Sequence, residues 1–102
     1  MPVYVDDMRA PYGRMILCHM IADTPEELLA MVDTIGVQRK WLQKPGTYEE
    51  HFDISTVKKE MALRAGAQLV SMRELVARMQ MKRPPDERPA WAVALLARAW
   101  RG

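Results

Sequence analysis

The segment MILCHMIADTPEELLAMVDTIG, residues 15–36, predicts a buried strand that leads directly into an amphipathic helix. Its first eight residues are apolar apart from His19, and a run of this length is typical of a buried strand. Thr24 then supplies a helix N-cap, a proline follows it, and a glutamate stands three residues after the cap. Apolar residues recur at helical spacing as far as Gly36, which predicts the end of the helix. A buried strand followed by such a helix is typical of α/β proteins.

Further strands and helices alternate along the chain. SMRELVARM at 71–79 repeats the capped helix, with a serine as the cap, and STVKKEMALRAG at 55–66 predicts another helix. Strands are predicted at 2–6, 15–22, 37–42, 51–54 and 68–71. Two segments, 15–42 and 51–71, therefore each contain a strand, a helix and a strand, an order typical of a crossover between parallel neighbours.

The links between the predicted strands set the strand directions. Residues 7–14 and 43–50 are too short for helical crossovers, so the chain should reverse direction at each of them. We therefore expect an α/β fold: a single domain with a mixed five-stranded sheet, helices on its faces and an extra C-terminal helix. The expected α/β domain spans residues 1–81, a proline-rich linker spans 82–89, and a C-terminal apolar helix spans 90–102.

The last predicted helix, PAWAVALLARAW at 89–100, is apolar around most of its circumference. A helix on the surface of its own domain needs only one apolar stripe, whereas Trp91 and Trp100 widen this apolar surface. Large exposed apolar surfaces mark sites of association. We therefore expect a homo-oligomer, or a contact with a partner protein, through residues 89–100.

Composition excludes several classes of protein. A chain of 102 residues with 49% hydrophobic and 27% charged residues is typical of one globular domain. The longest apolar run is too short to cross a membrane, and the amino terminus lacks the pattern of a secretory signal, so we expect a cytoplasmic protein. Cys18 is the only cysteine, which excludes an intrachain disulfide and a multi-cysteine zinc site. No glycine-rich phosphate loop is present, and a net charge of +2 is too small to indicate nucleic-acid binding.

The strand directions predict which polar residues lie together. Ligands of open α/β sheets gather at the carboxyl ends of strands. If the first strand runs against the second, and the fourth against the third, then the first, fourth and fifth strands end at the same edge of the sheet. That edge would carry Asp6, Asp7, Asp53, Ser55 and Ser71. Asp23 and Thr24 would lie at the opposite edge.

The motifs VYVDD at 3–7 and HFDIS at 51–55 predict a metal or acid–base site at this edge. Asp6, Asp7 and Asp53 are the candidate metal ligands, for a cation such as Mg²⁺ or Mn²⁺, and the candidate proton-handling carboxylates. His51 shares a strand face with Asp53 and is a candidate ligand or general base. The alternative is that these aspartates cap turns and helices by accepting backbone N–H groups.

Five other residues are candidates for ligand binding, each with a structural alternative. His19 would be a ligand or proton carrier, or else a neutral, hydrogen-bonded histidine of the core. Asp23 precedes a helix N-cap, where the helix dipole favours its charge in any case. Trp41 follows two basic residues and would stack on a base or pack in the core. Ser55 lies at the predicted edge, and Lys58 near the start of a helix would meet an anion or face solvent.

Short motifs relate the chain to a known family. It resembles a small bacterial and bacteriophage family of domains of unknown function, over about residues 2–75. The motifs that carry the resemblance are VYVDD at 3–7, HMIADTPEEL at 19–28, IGVQRKW at 35–41, HFDIS at 51–55, Lys58, Lys59 and AGA at 65–67. The resemblance implies a grouping but no reaction. The residues that it emphasises are Asp6, Asp7, His19, Asp23, Trp41, His51 and Asp53.

Two functions follow from these observations. The first is a phosphate-ester or nucleotide-directed site, assisted by a divalent metal, with Asp6, Asp7, His51 and Asp53 as its catalytic residues. The second is a non-enzymatic bacterial or phage module that sequesters a small anionic ligand or docks on a partner protein through its last helix.

Overall fold

A computed structural model describes residues 2–101 of the chain and the side chains of residues 2–98. The strands are β1 Val3–Asp6, β2 Ala10–Tyr12, β3 Met15–Ala22, β4 Phe52–Ser55 and β5 Gln68–Val70. The α-helices are α1 Pro25–Ile35, α2 Thr56–Arg64, α3 Met72–Gln80 and α4 Ala90–Arg101, with short 3-10 helices at Arg39–Trp41 and Pro85–Glu87. The predicted α/β fold with a mixed five-stranded sheet is confirmed.

The strand β3 lies in the middle of the sheet. Met20 pairs with β1 on one side and with β4 on the other, and Leu17 pairs with β2 and β4 in the same way. Since β4 occupies one edge of β3, β1 and β2 share the other edge. Val5 pairs with Met20, and Ala10 pairs with Leu17. Between these two pairs the chain from β1 to β2 advances five positions while β3 advances three, so two extra residues form a bulge around Asp7.

Three strands run in the same direction. β1 and β4 are both antiparallel to β3, and β5 is parallel to β1. The directions predicted for the first, fourth and fifth strands are therefore confirmed. These directions are correct although the strand predicted at 37–42, from which the direction of the fourth strand was derived, is not formed.

The strand predicted at 37–42 is wrong, and so is the parallel crossover predicted over 15–42. Residues Arg39–Trp41 form a 3-10 helix, while Gln43 makes only an isolated bridge to His51 at the outer edge of β4. The ion pair between Arg39 and Asp33, at 2.7 Å, links this turn to the end of α1. The fifth strand is instead the short β2, which lies within the predicted reversal at 7–14 and carries a proline, as an edge strand can.

The two faces of the sheet are covered differently. The face under α1 and α2 forms the main apolar core, in which Val5 of β1, Met20 of β3 and Phe52 of β4 are fully buried. The opposite face is covered by α3, whose Leu75 packs in a smaller cluster with Ile21 at one end of β3. The other end of β3 is only half-covered on this face, so the strand predicted to be buried throughout is buried mainly toward its carboxyl end.

The C-terminal helix α4 packs against α3, which fully buries Ala92. Trp91 and Val93 on the same helix remain 40% and 48% exposed. The side chain of Trp100, part of the apolar surface predicted for residues 89–100, lies outside the described residues. No helix within residues 2–101 combines the length and apolar character needed to cross a bilayer.

Candidate metal centre

Two histidines and an aspartate meet on the half-covered face of the sheet. His19 of β3 is paired in register with Asp53 of β4, and Asp53 points away from the core because its neighbours Phe52 and Ile54 point into it. His51 lies two residues before Asp53 and joins the same face. One donor atom from each of His19, His51 and Asp53 lies within 4.8 Å of the others, and we call these three residues the His–Asp cluster.

Asp6 fixes the position of His19. Its Oδ2 lies 2.8 Å from Nδ1 of His19, while its Oδ1 accepts the backbone N–H groups of His19 at 2.9 Å and of Met8 at 3.3 Å. The bulge after β1 permits this arrangement, in which a side chain bonds the amide of the neighbouring strand. Because Asp6 holds the Nδ1 proton, a neutral His19 presents the lone pair of Nε2 to the cluster.

The same contact moves the pKa values of both partners. Burial raises the pKa of Asp6, but the hydrogen bonds from the ring and the backbone of His19 outweigh it and leave the pKa below its ordinary value. For His19, the hydrogen bond to Asp6 raises the pKa, burial lowers it, and the charges of Asp6 and Asp53 raise it further. The net pKa of His19 is raised, so a proton competes with any cation for this ring.

The second histidine is oriented by a backbone carbonyl. Nδ1 of His51 lies 2.8 Å from the carbonyl oxygen of Glu49. A carbonyl can only accept, so Nδ1 carries a proton, and in the neutral ring Nε2 then carries the free lone pair. Backbone hydrogen bonds with Gln43, of 2.9 and 3.1 Å, hold His51 in place. The rings of His19 and His51 meet edge to face with their centroids 5.4 Å apart.

The carboxylate of Asp53 completes the cluster with one free oxygen. Its Oδ2 accepts a hydrogen bond of 2.6 Å from Nε2 of Gln43, whereas its Oδ1 is buried and has no hydrogen-bond partner among the residues that the structure describes. That oxygen lies 3.8 Å from Nε2 of His19 and 3.6 Å from Nε2 of His51. Donor atoms around a tetrahedral ion with bonds of about 2.0–2.1 Å lie roughly 3.3 Å apart, so small side-chain movements would bring all three into contact with one ion.

Asp6 and Asp7, predicted as metal ligands with Asp53, have other partners. Asp6 is 1% exposed and supports His19 from behind, so it is not one of the three donors in the cluster. Asp7 accepts the backbone N–H of Met72 at 3.2 Å, at the start of α3. Hydrogen bonds within the fold use both carboxylate oxygens of Asp6 and one oxygen of Asp7, which favours the capping alternative over a ligand role for these two residues.

Three other predicted ligand-binding residues lie in structural contacts. Ser55 caps α2 by accepting the backbone N–H of Lys58 at 3.3 Å. The ammonium group of Lys58 donates to the carbonyl oxygen of Ile35, 2.7 Å away, at the end of α1. Asp23 accepts a long bond of 3.4 Å from the hydroxyl of Tyr4, and it lines a separate cleft of about 590 Å³. The structure does not bring these residues to the His–Asp cluster.

Trp41 lies beside the cluster, at a cleft of about 380 Å³. We call this the aromatic cleft; its lining residues are Tyr12, Met15, Leu17, Trp41, Gln43 and Asp53. The structural alternative for Trp41, packing in the core, is wrong, because the side chain is 61% exposed. Sequence analysis missed Tyr12 and Gln43, and the only signal for Gln43 is its place directly after the strand predicted at 37–42.

Comparison with known proteins places the chain in a family. No curated protein and no solved structure matches it. A family described as "Protein of unknown function (DUF4031)" matches residues 3–82, which include β1 to β5, α1 to α3 and the whole His–Asp cluster. The match ends before α4, as the resemblance seen in the motifs implied. The chain therefore belongs to the DUF4031 family of proteins of unknown function.

Proposed function

We propose that the protein binds one divalent transition-metal ion through Nε2 of His19, Nε2 of His51 and Oδ1 of Asp53, and uses it to hydrolyse a phosphate ester. One observation carries the proposal: two oriented imidazoles converge on a buried carboxylate oxygen that lacks a hydrogen-bond partner in the described part of the chain. A buried oxygen without a partner is costly, and a bound cation would remove that cost.

The surroundings of the three donors resemble the outer shell of known metal sites. Metal-binding histidines usually donate their second ring N–H to a carboxylate or a backbone carbonyl, and ligating carboxylates are themselves hydrogen-bonded. Here Asp6 and the carbonyl of Glu49 hold the two rings, and Gln43 holds Asp53. The donors are thus oriented before any ion arrives.

The donor set favours a particular class of metal. Two imidazole nitrogens and one carboxylate oxygen suit Zn²⁺, Mn²⁺ or Fe²⁺, whereas Mg²⁺ prefers oxygen ligands in a strict octahedral arrangement. Of the two cations expected from the sequence, Mn²⁺ fits this donor set and Mg²⁺ fits it poorly. Zn²⁺ is our first choice, because three protein ligands with one open position is the usual form of a catalytic zinc site.

The chemistry follows from the open position. A divalent ion with one carboxylate ligand has a net inner-shell charge of +1, which attracts an anionic ester. Bound water would ionise near neutral pH and lose its proton to solvent. With the ion held by His19, His51 and Asp53, this hydroxide would be the nucleophile that displaces the leaving group from phosphorus, and the leaving oxygen would take up a proton from water. The ion would also stabilise the charge that develops on the phosphoryl oxygens.

Isothermal titration with Zn²⁺, Mn²⁺, Fe²⁺ and Mg²⁺ tests the metal centre. We expect one Zn²⁺ per chain and an affinity at least about tenfold lower in His51→Ala and in Asp53→Asn, since each removes one ligand. Asp33→Asn, which removes a carboxylate that is not one of the three donors, is the matched control and should bind normally. Failure of all four ions to bind the native protein would overturn the proposal. Zn²⁺ binding without turnover of p-nitrophenyl phosphate would overturn the hydrolase alone.

Self-association through residues 89–100 is a second, compatible proposal, and it retains the non-enzymatic docking function as the alternative. Its support is the exposed apolar surface of α4, where Val93 is 48% exposed although the helix packs against α3. Light scattering on the full chain should detect a dimer or larger species. We expect Val93→Glu to dissociate it, while Val57→Glu, at an exposed apolar position of α2, should not. A native protein that is monomeric at all accessible concentrations would remove the proposal.

A further inference from the structure

The aromatic cleft exposes an unusual set of side chains. Tyr12, Met15 and Trp41 are 68%, 48% and 61% exposed, although each is large and apolar enough to be expected in a core. They come from two separate segments, the β2–β3 hairpin and the 3-10 helix before β4, and they line the same concavity. Single exposed apolar residues are common, but several around one cleft mark a binding surface.

The cleft shares Asp53 with the His–Asp cluster. Asp53 lines the cleft and also supplies the unpartnered oxygen of the cluster, while Gln43 lines the cleft and holds the other oxygen of Asp53. A ligand with its polar end at the metal would therefore extend along Leu17 toward the aromatic side chains. At about 380 Å³ the cleft is near the lower end of ligand pockets, which run from about 300 to 1,000 Å³.

The residues around the cleft favour a planar group that carries negative charge. Tyr12 and Trp41 offer flat apolar surfaces on which an aromatic ring can stack. The ammonium group of Lys40 lies 5.0 Å from the centroid of the Trp41 ring and adds a positive charge next to the stacking surface. An aliphatic phosphate ester would leave both rings without a partner.

We infer that the aromatic cleft binds the base of a mononucleotide, stacked on Trp41 and Tyr12, while the phosphate group lies at the metal. The assignment of the phosphate end rests on the proposed function. The assignment of the aromatic end rests only on the exposed rings and the volume of the cleft.

Two phosphate esters that differ only in the base provide the test. Adenosine 5′-monophosphate and ribose 5-phosphate are titrated into the Zn²⁺-loaded protein by calorimetry. We expect the nucleotide to bind roughly tenfold or more tightly, since stacking of one base on an aromatic side chain commonly has this effect. Trp41→Ala should abolish the difference. Trp91→Ala removes another exposed tryptophan, which lies outside the cleft, and should preserve the difference. Equal affinities for the two esters, or a preference that survives Trp41→Ala, would overturn the inference.

Adenosine, which has no phosphate, separates this inference from the metal proposal. In the metal-free protein, adenosine should shift the indole N–H signal of Trp41 in an NMR titration, and the signal of Trp91 should stay in place. Such a shift supports the stacking site even if no metal binds. Absence of the shift in both the metal-free and the Zn²⁺-treated protein would overturn the inference while leaving a measured metal affinity intact.

Discussion

The two faces of β3 differ in how completely their side chains are covered and bonded. Cys18 and Met20 are at most 3% exposed and pack among apolar neighbours beneath α1 and α2. His19 lies between them in sequence but points to the opposite face, where its side chain is 30% exposed and its Nε2 points to the free oxygen of Asp53. Because side chains alternate along a strand, one strand can build the core with one face and hold reactive groups on the other.

Substitution of Phe52 is the most severe test of whether the two faces of the sheet are independent, because Phe52 lies between His51 and Asp53 in sequence but is fully buried on the core face. We expect Phe52→Ala to lower the free energy of unfolding by about 3–5 kcal/mol, measured by urea denaturation, through the lost burial and the cavity left behind. The milder Phe52→Leu should stay folded and keep its Zn²⁺ affinity within about twofold. A folded Phe52→Leu protein that no longer binds Zn²⁺ would show that the two faces are not independent.

Substitution of Asp6 should have the next largest effect, because Asp6 of β1 fixes the position of His19 on the half-covered face of the sheet. Asp6→Asn replaces the acceptor that fixes His19, and changes of this kind in outer-shell partners lower metal affinity by about 10–100-fold. Calorimetry with Zn²⁺ measures this change directly. The matched control is Asp7→Asn, the adjacent carboxylate, which bonds only the start of α3 in the described structure. Equal losses of affinity in the two variants would mean that Asp6 has no special role in orienting His19.

The stability of the metal-free protein should depend on pH through the contact between Asp6 and His19. The raised pKa of His19 gives a stabilisation that is complete below its ordinary pKa of 6.5 and is lost as the pH rises through the folded value. The lowered pKa of Asp6 gives a stabilisation present above its ordinary pKa of 3.8 and lost as the pH falls through the folded value. The pair therefore stabilises the fold most between these two ordinary values.

Urea unfolding of native and Asp6→Asn protein at about pH 5.5 and about pH 8.5 measures this effect. The free energy lost on substitution should be larger at the lower pH, where His19 is charged. Asp53 and His51 also face the ring, so NMR titration of each histidine is needed to assign the change. A loss that is the same at both pH values would contradict the predicted coupling between Asp6 and His19.

Local signals in the sequence predicted the helices well. Thr24 accepts the N–H of Glu27 at 3.2 Å, and Gly36 ends α1 with φ of 76°, as the cap and the glycine indicated. Ser71 begins α3 in the same way, by accepting the N–H of Glu74 at 3.0 Å. These features depend on residues three or four positions apart, so one sequence is enough to recognise them.

The candidate site depends on register, and for this reason it was only partly predictable. The pair of His51 and Asp53 is local, but the pairing of His19 with Asp53 joins strands more than thirty residues apart. The role of Asp6 depends on the bulge after β1, and no residue pattern indicated where the extra residues would lie. The error at 37–42 had the same origin: a segment becomes a strand only if a neighbouring strand is available to pair with it.

Substitution of Ser55 should have the smallest effect, and it distinguishes a capping residue from a metal ligand on the half-covered face of the sheet. It follows Asp53 by two residues, so alternation alone would place it with the His–Asp cluster, yet its hydroxyl caps α2. We expect Ser55→Ala to lower the free energy of unfolding by about 1 kcal/mol, the usual effect of losing an N-cap, and to leave the Zn²⁺ affinity within about twofold. Ser55→Asp keeps a capping acceptor and should restore most of the stability. A tenfold loss of Zn²⁺ affinity in Ser55→Ala would instead make this hydroxyl part of the metal centre, because the loss of a cap at the start of α2 leaves the three donor atoms in place.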